Sequence, residues 1–285
     1  MNFPSGTLLA QSALSGLFIG GLYGLIGLGL GLSWGLLHVI NLAHFGLAFL
    51  SAYLCYQLAS VGGMDPLATL AIVVPIAFVL GAAMQGLLMR FRVTPLNSLL
   101  ATFGITAIIE AGIQYVWTAD FRKLESAYAG RKFRLGELYV PLPELLTLGV
   151  AVALAFGIWA AMRYTDLGKA MRALAEDAPV ASAFGVNGRM HALLLAGVCG
   201  ALAGVAGVCL ALTYTLTPAQ IYAWVGVVFA AVMLGGLGSP LGPLAAGIVI
   251  GVSEALTTAF ASPSWAPIVS FTLLIVLLLV RPGKT

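Results

Sequence analysis

Charge is what this sequence has least of. Only 8% of its 285 residues are Asp, Glu, Lys or Arg, against 61% hydrophobic residues, and the mean hydropathy is +1.05. A soluble globular chain carries about a quarter charged residues, so the shortage excludes that class and points to an integral membrane protein. A basic stripe is also absent. The net charge of +3 is spread over the segments between apolar runs, so nothing tracks a phosphate backbone and no nucleic acid is expected as a partner. The three cysteines, Cys55, Cys199 and Cys209, stand far apart in apolar runs, which excludes a disulfide framework and metal-like pairing. They read as small buried side chains.

Catalytic motifs are missing as well. There is no H-E-x-x-H, no G-x-S-x-G and no Walker A: Gly168–Lys169 is followed by Ala170, and Gly283–Lys284–Thr285 has no upstream glycine. The chain therefore reads as a non-enzyme that needs no cofactor and no metal, and any ATP it depends on is bound by another chain. The opening MNFPSGTLLAQSALSG has no basic residue before the first apolar run, so it lacks the charged region of a cleaved signal peptide and the first helix reads as retained.

Long apolar runs are what the sequence does have, at about 8–30, 45–60, 67–89, 97–118, 145–162, 190–214, 221–237, 242–260 and 265–280. A spanning helix needs roughly 20 apolar residues to cross a hydrocarbon core about 30 Å thick. The expected fold is an all-α integral membrane protein with about 8–9 transmembrane helices in a single domain, 1–285, punctuated by Pro and Gly. Threading the runs alternately places Arg90, Arg92, Arg163, Lys169, Arg172, Arg189, Arg281 and Lys284 on one side, the cytoplasmic one by the positive-inside rule. The polar loop of about 119–144 then lies outside, with Arg122, Lys123, Arg131, Lys132 and Arg134 voting against that orientation.

Glycine is plentiful, at 35 residues. Gly16, Gly20 and Gly24 recur every four positions, Gly200, Gly204 and Gly207 follow a similar spacing, and Gly247 and Gly251 lie one turn apart. Each set draws a groove along one helix face, where small residues let helices approach closely in lipid. Tight packing alone accounts for these grooves, and surfaces that slide during transport are the other reading.

Polar groups at membrane depth are functional candidates. In LLHVINLAHFG, His38, Asn41 and His44 recur every three residues and share one face of a continuous helix; the polarity and Gly46 also allow a broken or re-entrant segment. In ATFGITAIIEAGIQY, Thr102, Thr106, Glu110 and Gln114 form a stripe at a spacing of four, which suits a wet cavity or an inter-helix seam. Glu254 is a further lone acid, with Ser253, Thr257 and Thr258 close by. Asn41, His44, Thr102, Thr106, Glu110 and Gln114 are the candidates for a substrate path, and hydrogen-bonded packing explains each of them equally simply.

The segment of about 164–189 concentrates charge: Asp166, Lys169, Arg172, Glu176, Asp177 and Arg189. Leu167, Met171, Leu174 and Ala178 fall on one face, with Lys169, Arg172 and Glu176 on another. Asp177 reads as an N-cap with Pro179 in the following turn, and Gly185 stops the second helix. Two short helices joined at a capped corner make a projection suited to docking, and a helix lying on the lipid surface is the alternative.

DLGKAMRALAEDAPVASAFGVNGRMHALLLAGVCGALAGVAGV resembles the LivH-type permeases of branched-chain amino acid ABC importers, a family that also handles urea and short amides. GLYGLIGLGLGLSWGLLHVINLAHFGLAFLSAY, SLLATFGITAIIEAGIQYVWTADFRKL and FAAVMLGGLGSPLGPLAAGIVIGVSEAL extend the resemblance over nearly the whole chain. It implies a bacterial inner-membrane subunit in which Asp166, Lys169, Arg172, Glu176, Asp177, Pro179 and Gly185 form the segment that couples to the motor. It also implies the partners: a second homologous permease, two cytoplasmic ATP-binding cassette subunits, an extracytoplasmic solute-binding protein and the lipid bilayer. Phe45 and Gly46 after His44, and Val227 and Val228 before Phe229, depart from the family pattern and leave room for a larger or aromatic solute. The rival from another class is an autonomous secondary transporter or channel with Glu110 and Glu254 as ion sites; it needs inverted repeats, and the sequence displays none. A membrane-embedded hydrolase, lacking a nucleophile–base pair, ranks third.

Overall fold

The structure is a computed structural model that describes residues 5–262 and 265–280. Arg281 and Lys284, counted in the charge asymmetry above, lie outside the described residues. The nine apolar runs become α1 (Gly6–Leu37), α2 (Ala43–Tyr56, extended by a π turn over Gln57–Val61), α3 (Leu70–Arg90), α4 (Pro95–Trp117), α5 (Leu142–Tyr164), α8 (Gly188–Thr213), α9 (Ile221–Gly235), α10 (Gly242–Phe260) and α11 (Ala266–Val280). The charged segment supplies α6 (Asp166–Glu176) and α7 (Ala178–Ala183). Among the described residues, eight helices are long and apolar enough to cross a membrane. The described part of α11 is shorter, at 15 residues, but equally apolar and packed on α9 and α10.

Helix α1 is the mast of the bundle. Its 32 residues run well past the expected end at 30, and its second half is buried on all sides by α2, α5, α8, α9 and α10. Such burial requires a slim helix, and glycine supplies it. A Cβ at Gly20 would lie 2.5 Å from the Gly247 carbonyl oxygen, and one at Gly16 would lie 2.6 Å from that of Gly251. One at Gly24 would lie 2.5 Å from the Leu244 Cα, and one at Gly247 would lie 2.6 Å from the Gly20 carbonyl oxygen. Two glycine ridges thus interlock backbone to backbone. On α8, Gly200 and Gly204 admit Ala77 of α3, and Gly207 admits Ala48 and Ser51 of α2.

The loop of 119–144 holds what the sequence analysis did not anticipate, a hairpin of β1 (Lys132–Leu135) and β2 (Leu138–Pro141) turned at Gly136, whose φ is +63°. Gln11 clamps it to α1, donating to the Tyr139 carbonyl at 3.0 Å and accepting its N–H at 2.9 Å. Nearby, the Tyr128 hydroxyl donates to Asp65 at 2.7 Å and holds that carboxyl below the usual carboxylate range, while Arg122 and Leu216 exchange backbone hydrogen bonds. These contacts gather residues 11, 65, 122–139 and 216 at one end of the bundle. At the opposite end, the residues around 36–38, 85–89, 171–195 and 238 come together. This sorting is what alternate threading of the helices requires.

Candidate functional site

The projection is built by local rules. Thr165 leaves α5 in extended backbone; its hydroxyl donates to the Ala161 carbonyl at 2.6 Å and accepts the Gly168 N–H at 3.1 Å, starting α6. A Cβ at Gly168 would overlap the Met162 backbone, so only glycine lets α6 fold back onto the end of α5. That close approach turns the inner face toward Gly168 and Met171, which are buried, and leaves Leu167 53% exposed. The expected apolar face of Leu167, Met171, Leu174 and Ala178 is therefore corrected at one position: Leu167 faces outward, while Met171, Leu174 and Ala178 line a crevice beneath.

Asp177 caps α7, accepting the Val180 N–H at 3.0 Å, with Pro179 in the first turn. Val186 N–H donates to the Ala181 carbonyl and Gly185 N–H to that of Ser182, a Schellman closure that needs the φ of +87° at Gly185. Among the described residues the one ion pair is Lys169–Asp166 at 3.0 Å, with side chains 61% and 99% exposed; such a surface pair contributes about 0–1 kcal/mol. Arg172, Glu176 and Asp177 are exposed. On α7, which follows these charges, Val180 is 52% exposed, and Phe184 at its C-cap is 85% exposed.

Beneath the projection lies a crevice of about 300 Å³ lined by Leu36, His38, Gln85, Met171, Leu174 and His191 among others. Its roof is α6 and its floor is the junction of α1 and α2. The expected face of His38, Asn41 and His44 on one continuous helix does not form, because the chain breaks over 38–42. His38 closes α1 in the left-handed region at φ 55°, and α2 restarts at Ala43. Two hydroxyls hold the break, and a backbone contact braces α1 ahead of it. The Thr102 hydroxyl of α4 accepts the Leu42 N–H at 3.0 Å while donating to the Ser98 carbonyl at 2.7 Å, the Ser33 hydroxyl donates to the Val39 carbonyl, and Gly238 N–H donates to the Gly31 carbonyl.

The path candidates separate. His44 is buried inside the bundle, its Nε2 3.0 Å from the Ile26 carbonyl oxygen and its ring seated against Gly29, so it acts as a strut between α2 and α1. Asn41 is buried with its side-chain oxygen unpartnered. Thr106 donates to the Thr102 carbonyl at 2.8 Å and, with Leu42, Phe103, Tyr222 and Val225, borders a cleft of about 220 Å³ between α4 and α9. Glu110 is half-buried, Gln114 is exposed, and the Gln114 amide donates to Glu110 at 3.1 Å. The stripe is thus locked at its Thr102 end and open at its Gln114 end.

Thr102 gives a direct test of the break. Thr102→Val leaves the Leu42 N–H without its acceptor, and an unsatisfied donor in a buried setting costs about 1–3 kcal/mol. The expected result is a melting temperature in detergent lowered by several degrees, with Thr102→Ser close to the wild type. Equal melting of the valine and serine variants would remove Thr102 as the anchor.

A second cavity, of about 340 Å³, lies toward the hairpin end between α1, α5, α8 and α10. Glu254 sits in its wall, 7% exposed, and is not the lone acid of the sequence analysis: the Tyr23 hydroxyl donates to one carboxylate oxygen at 3.0 Å and the Ser270 hydroxyl to the other. Tyr23, Glu144 and Tyr214, all lining residues, escaped the sequence analysis because each stands singly in an apolar run or at its edge. The signal that could have found Tyr23 is its phenol inside the glycine and aliphatic run GGLYGLIGLGLGL.

Residues 12–278 match the family described as branched-chain amino acid transport system / permease component. The chain is 28% identical to the high-affinity branched-chain amino acid transport system permease protein LivH of Salmonella typhimurium, over 95% of this chain and 93% of that one. Against BraD of Pseudomonas aeruginosa, with the same descriptive title, it is 28% identical over 95% and 94% of the two chains. A probable branched-chain amino acid transport permease protein LivH of Methanocaldococcus jannaschii is 28% identical over 90% and 86%. No solved structure matches.

Proposed function

The chain belongs to the branched-chain amino acid transport permease family, and we propose that it is the membrane-spanning subunit of a bacterial inner-membrane ABC importer for branched-chain or similarly apolar amino acids. It works with a second homologous permease, two cytoplasmic ATP-binding cassette subunits and an extracytoplasmic solute-binding protein. The observation that carries this reading is the α6–α7 projection. A capped, charged corner with an exposed Phe184 crowns a crevice whose floor is the broken α1–α2 junction. In this reading the projection and the ends carrying Arg90, Arg92, Arg163 and Arg189 face the cytoplasm, and the hairpin faces the binding protein.

The proposed mechanism runs through these contacts. Closure of the ATPase dimer presses on α6–α7, and Met171 and Leu174 pass that movement into the crevice above His38. The break at 38–42 is a place where α1 and α2 can change their relative angle without rupturing a helical hydrogen-bond ladder. Thr102 ties the same break to α4, so movement reaches the α4–α9 cleft bordered by Thr106, with Glu110 and Gln114 further along. These three residues, with Asn41, are the proposed lining of the path, and the glycine-packed α1–α10 pair serves as the rigid frame.

Reconstitution tests the reading. The four-subunit membrane complex in proteoliposomes, supplied with binding protein, is expected to accumulate leucine only with ATP inside the compartment that holds the ATPases. Uptake by this chain alone, without ATP, would instead establish the secondary transporter.

A further inference from the structure

We propose that the cavity around Glu254 is a binding site for the ammonium group of the solute, with Glu254 as its acceptor; this deepens the importer reading by assigning the end of the solute that the permease recognises. The cavity's volume of about 340 Å³ falls within the ~300–1,000 Å³ typical of small-molecule pockets. It lies between α1, α5, α8 and α10 toward the end closed by the hairpin, where solute arrives.

Donors and acceptors around the cavity do not balance. Glu254 receives one hydroxyl donor on each carboxylate oxygen, from Tyr23 and Ser270. Each such oxygen carries two lone pairs, so each retains one. The hydroxyls of Thr147, Thr213 and Thr258 also line the cavity. Each has its proton committed to a carbonyl of its own helix, at 2.9, 2.7 and 2.8 Å respectively. What these three hydroxyls offer the cavity is therefore lone pairs. The Ser15 and Tyr214 hydroxyls, which also line it, can donate as well as accept, so two donors face the two carboxyls and three threonine oxygens. Glu144, in the first turn of α5, adds a second carboxyl, and no Lys, Arg or His is among the lining residues.

An acceptor-rich cavity within a membrane protein repels a carboxylate and has no cation of its own to satisfy it. An ammonium supplies three donors and the missing positive charge. Phe18, Ile19 and Leu22 supply an apolar stretch of wall, which suits an aliphatic side chain beside the ammonium. Tyr23 and Tyr214 each meet the Trp224 ring edge-to-face with centroids 5.5 Å apart, so an aromatic frame fixes the position of the Tyr23 hydroxyl.

The test uses the purified permease complex and three probes that share one isobutyl side chain: leucine, isoamylamine, which keeps the ammonium and lacks the carboxylate, and 4-methylpentanoate, which keeps the carboxylate and lacks the ammonium. Binding read by thermal stabilisation is expected for leucine and isoamylamine and not for 4-methylpentanoate. Glu254→Gln should weaken isoamylamine at least tenfold, and Glu254→Asp should restore part of that loss. Binding of 4-methylpentanoate as tight as isoamylamine overturns the proposal, and so does equal stabilisation by sodium ions alone. The probe comparison is made on the wild-type protein, so the proposal stays testable if a variant fails to fold. The two readings fail separately. ATP-driven leucine uptake with an unchanged KM in Glu254→Gln sinks the ammonium site and leaves the importer. Tight isoamylamine binding without ATP-driven uptake does the reverse.

Discussion

Replacing Phe184 by glutamate is expected to release the ATP-binding subunits from the membrane complex. Phe184 is 85% exposed at the end of α7, on a turn made rigid by the Gly185 closure and the Asp177 cap. A rigid, exposed aromatic is the form that interface hot spots often take, and truncating such an anchor costs about 2 kcal/mol or more, some thirtyfold in affinity. Glutamate goes further than truncation, since it places a charge that needs a partner in the space the ring had filled. Arg172 and Glu176 are exposed on α6, the other helix of the projection, and exposed interface charges govern encounter rate and salt dependence more than affinity. Co-purification of the ATPases should therefore fail in Phe184→Glu and fall severalfold in Phe184→Ala. The double reversal Arg172→Glu with Glu176→Arg should weaken it chiefly at low salt. If the charge reversal alone dissociates the complex and Phe184→Ala does not, the grip is electrostatic and the apolar anchor is wrong. Leucine-dependent stabilisation of the permease itself should persist in Phe184→Glu, which separates loss of docking from loss of folding.

The helices were legible because hydropathy and length decide them. Pro95, Pro143 and Pro243 start helices at compatible positions, and the Asp177–Pro179–Gly185 corner follows from capping rules that act within a few residues. What could not be read depends on contacts distant in sequence. The spacing of His38, Asn41 and His44 suggested one face, yet the hydrogen bond from Leu42 N–H to Thr102, 60 residues away, sets the break. Glu254 looked isolated because its partners are Tyr23, 231 residues earlier, and Ser270, on the next helix. The hairpin escaped because KFRL and LYVP are too short to outweigh the polar loop around them, and the clamp from Gln11 lies 128 residues upstream of Tyr139. Leu167 turned outward for a similar reason: helical periodicity alone cannot register the close approach of Gly168 to Met162.

Gly20→Leu is expected to abolish the folded permease, and Gly20→Ala to destabilise it strongly. The atoms that a Cβ at Gly20 would meet are the Gly247 carbonyl oxygen at 2.5 Å and the Ile248 Cα at 2.6 Å, both backbone. No rotamer change can relieve such a contact, so α1 and α10 must separate. Separation is transmitted along the whole seam, because Gly16 meets Gly251 and Gly24 meets Leu244 with the same tightness. Overpacking a close-packed site costs about 1–3 kcal/mol, occasionally more, and in lipid no hydrophobic drive restores the pairing once van der Waals contact is lost. Alanine should lower the detergent melting temperature by several degrees, and leucine should leave no monodisperse protein on size-exclusion chromatography. Gly149 and Gly157 on α5 provide the control, since a Cβ at either meets nothing within 4 Å; alanine there should leave melting unchanged or slightly raised. Uniform tolerance at Gly16, Gly20 and Gly24 would mean that the α1–α10 seam is loose, and the rigid frame against which the α1–α2 break moves would be lost with it.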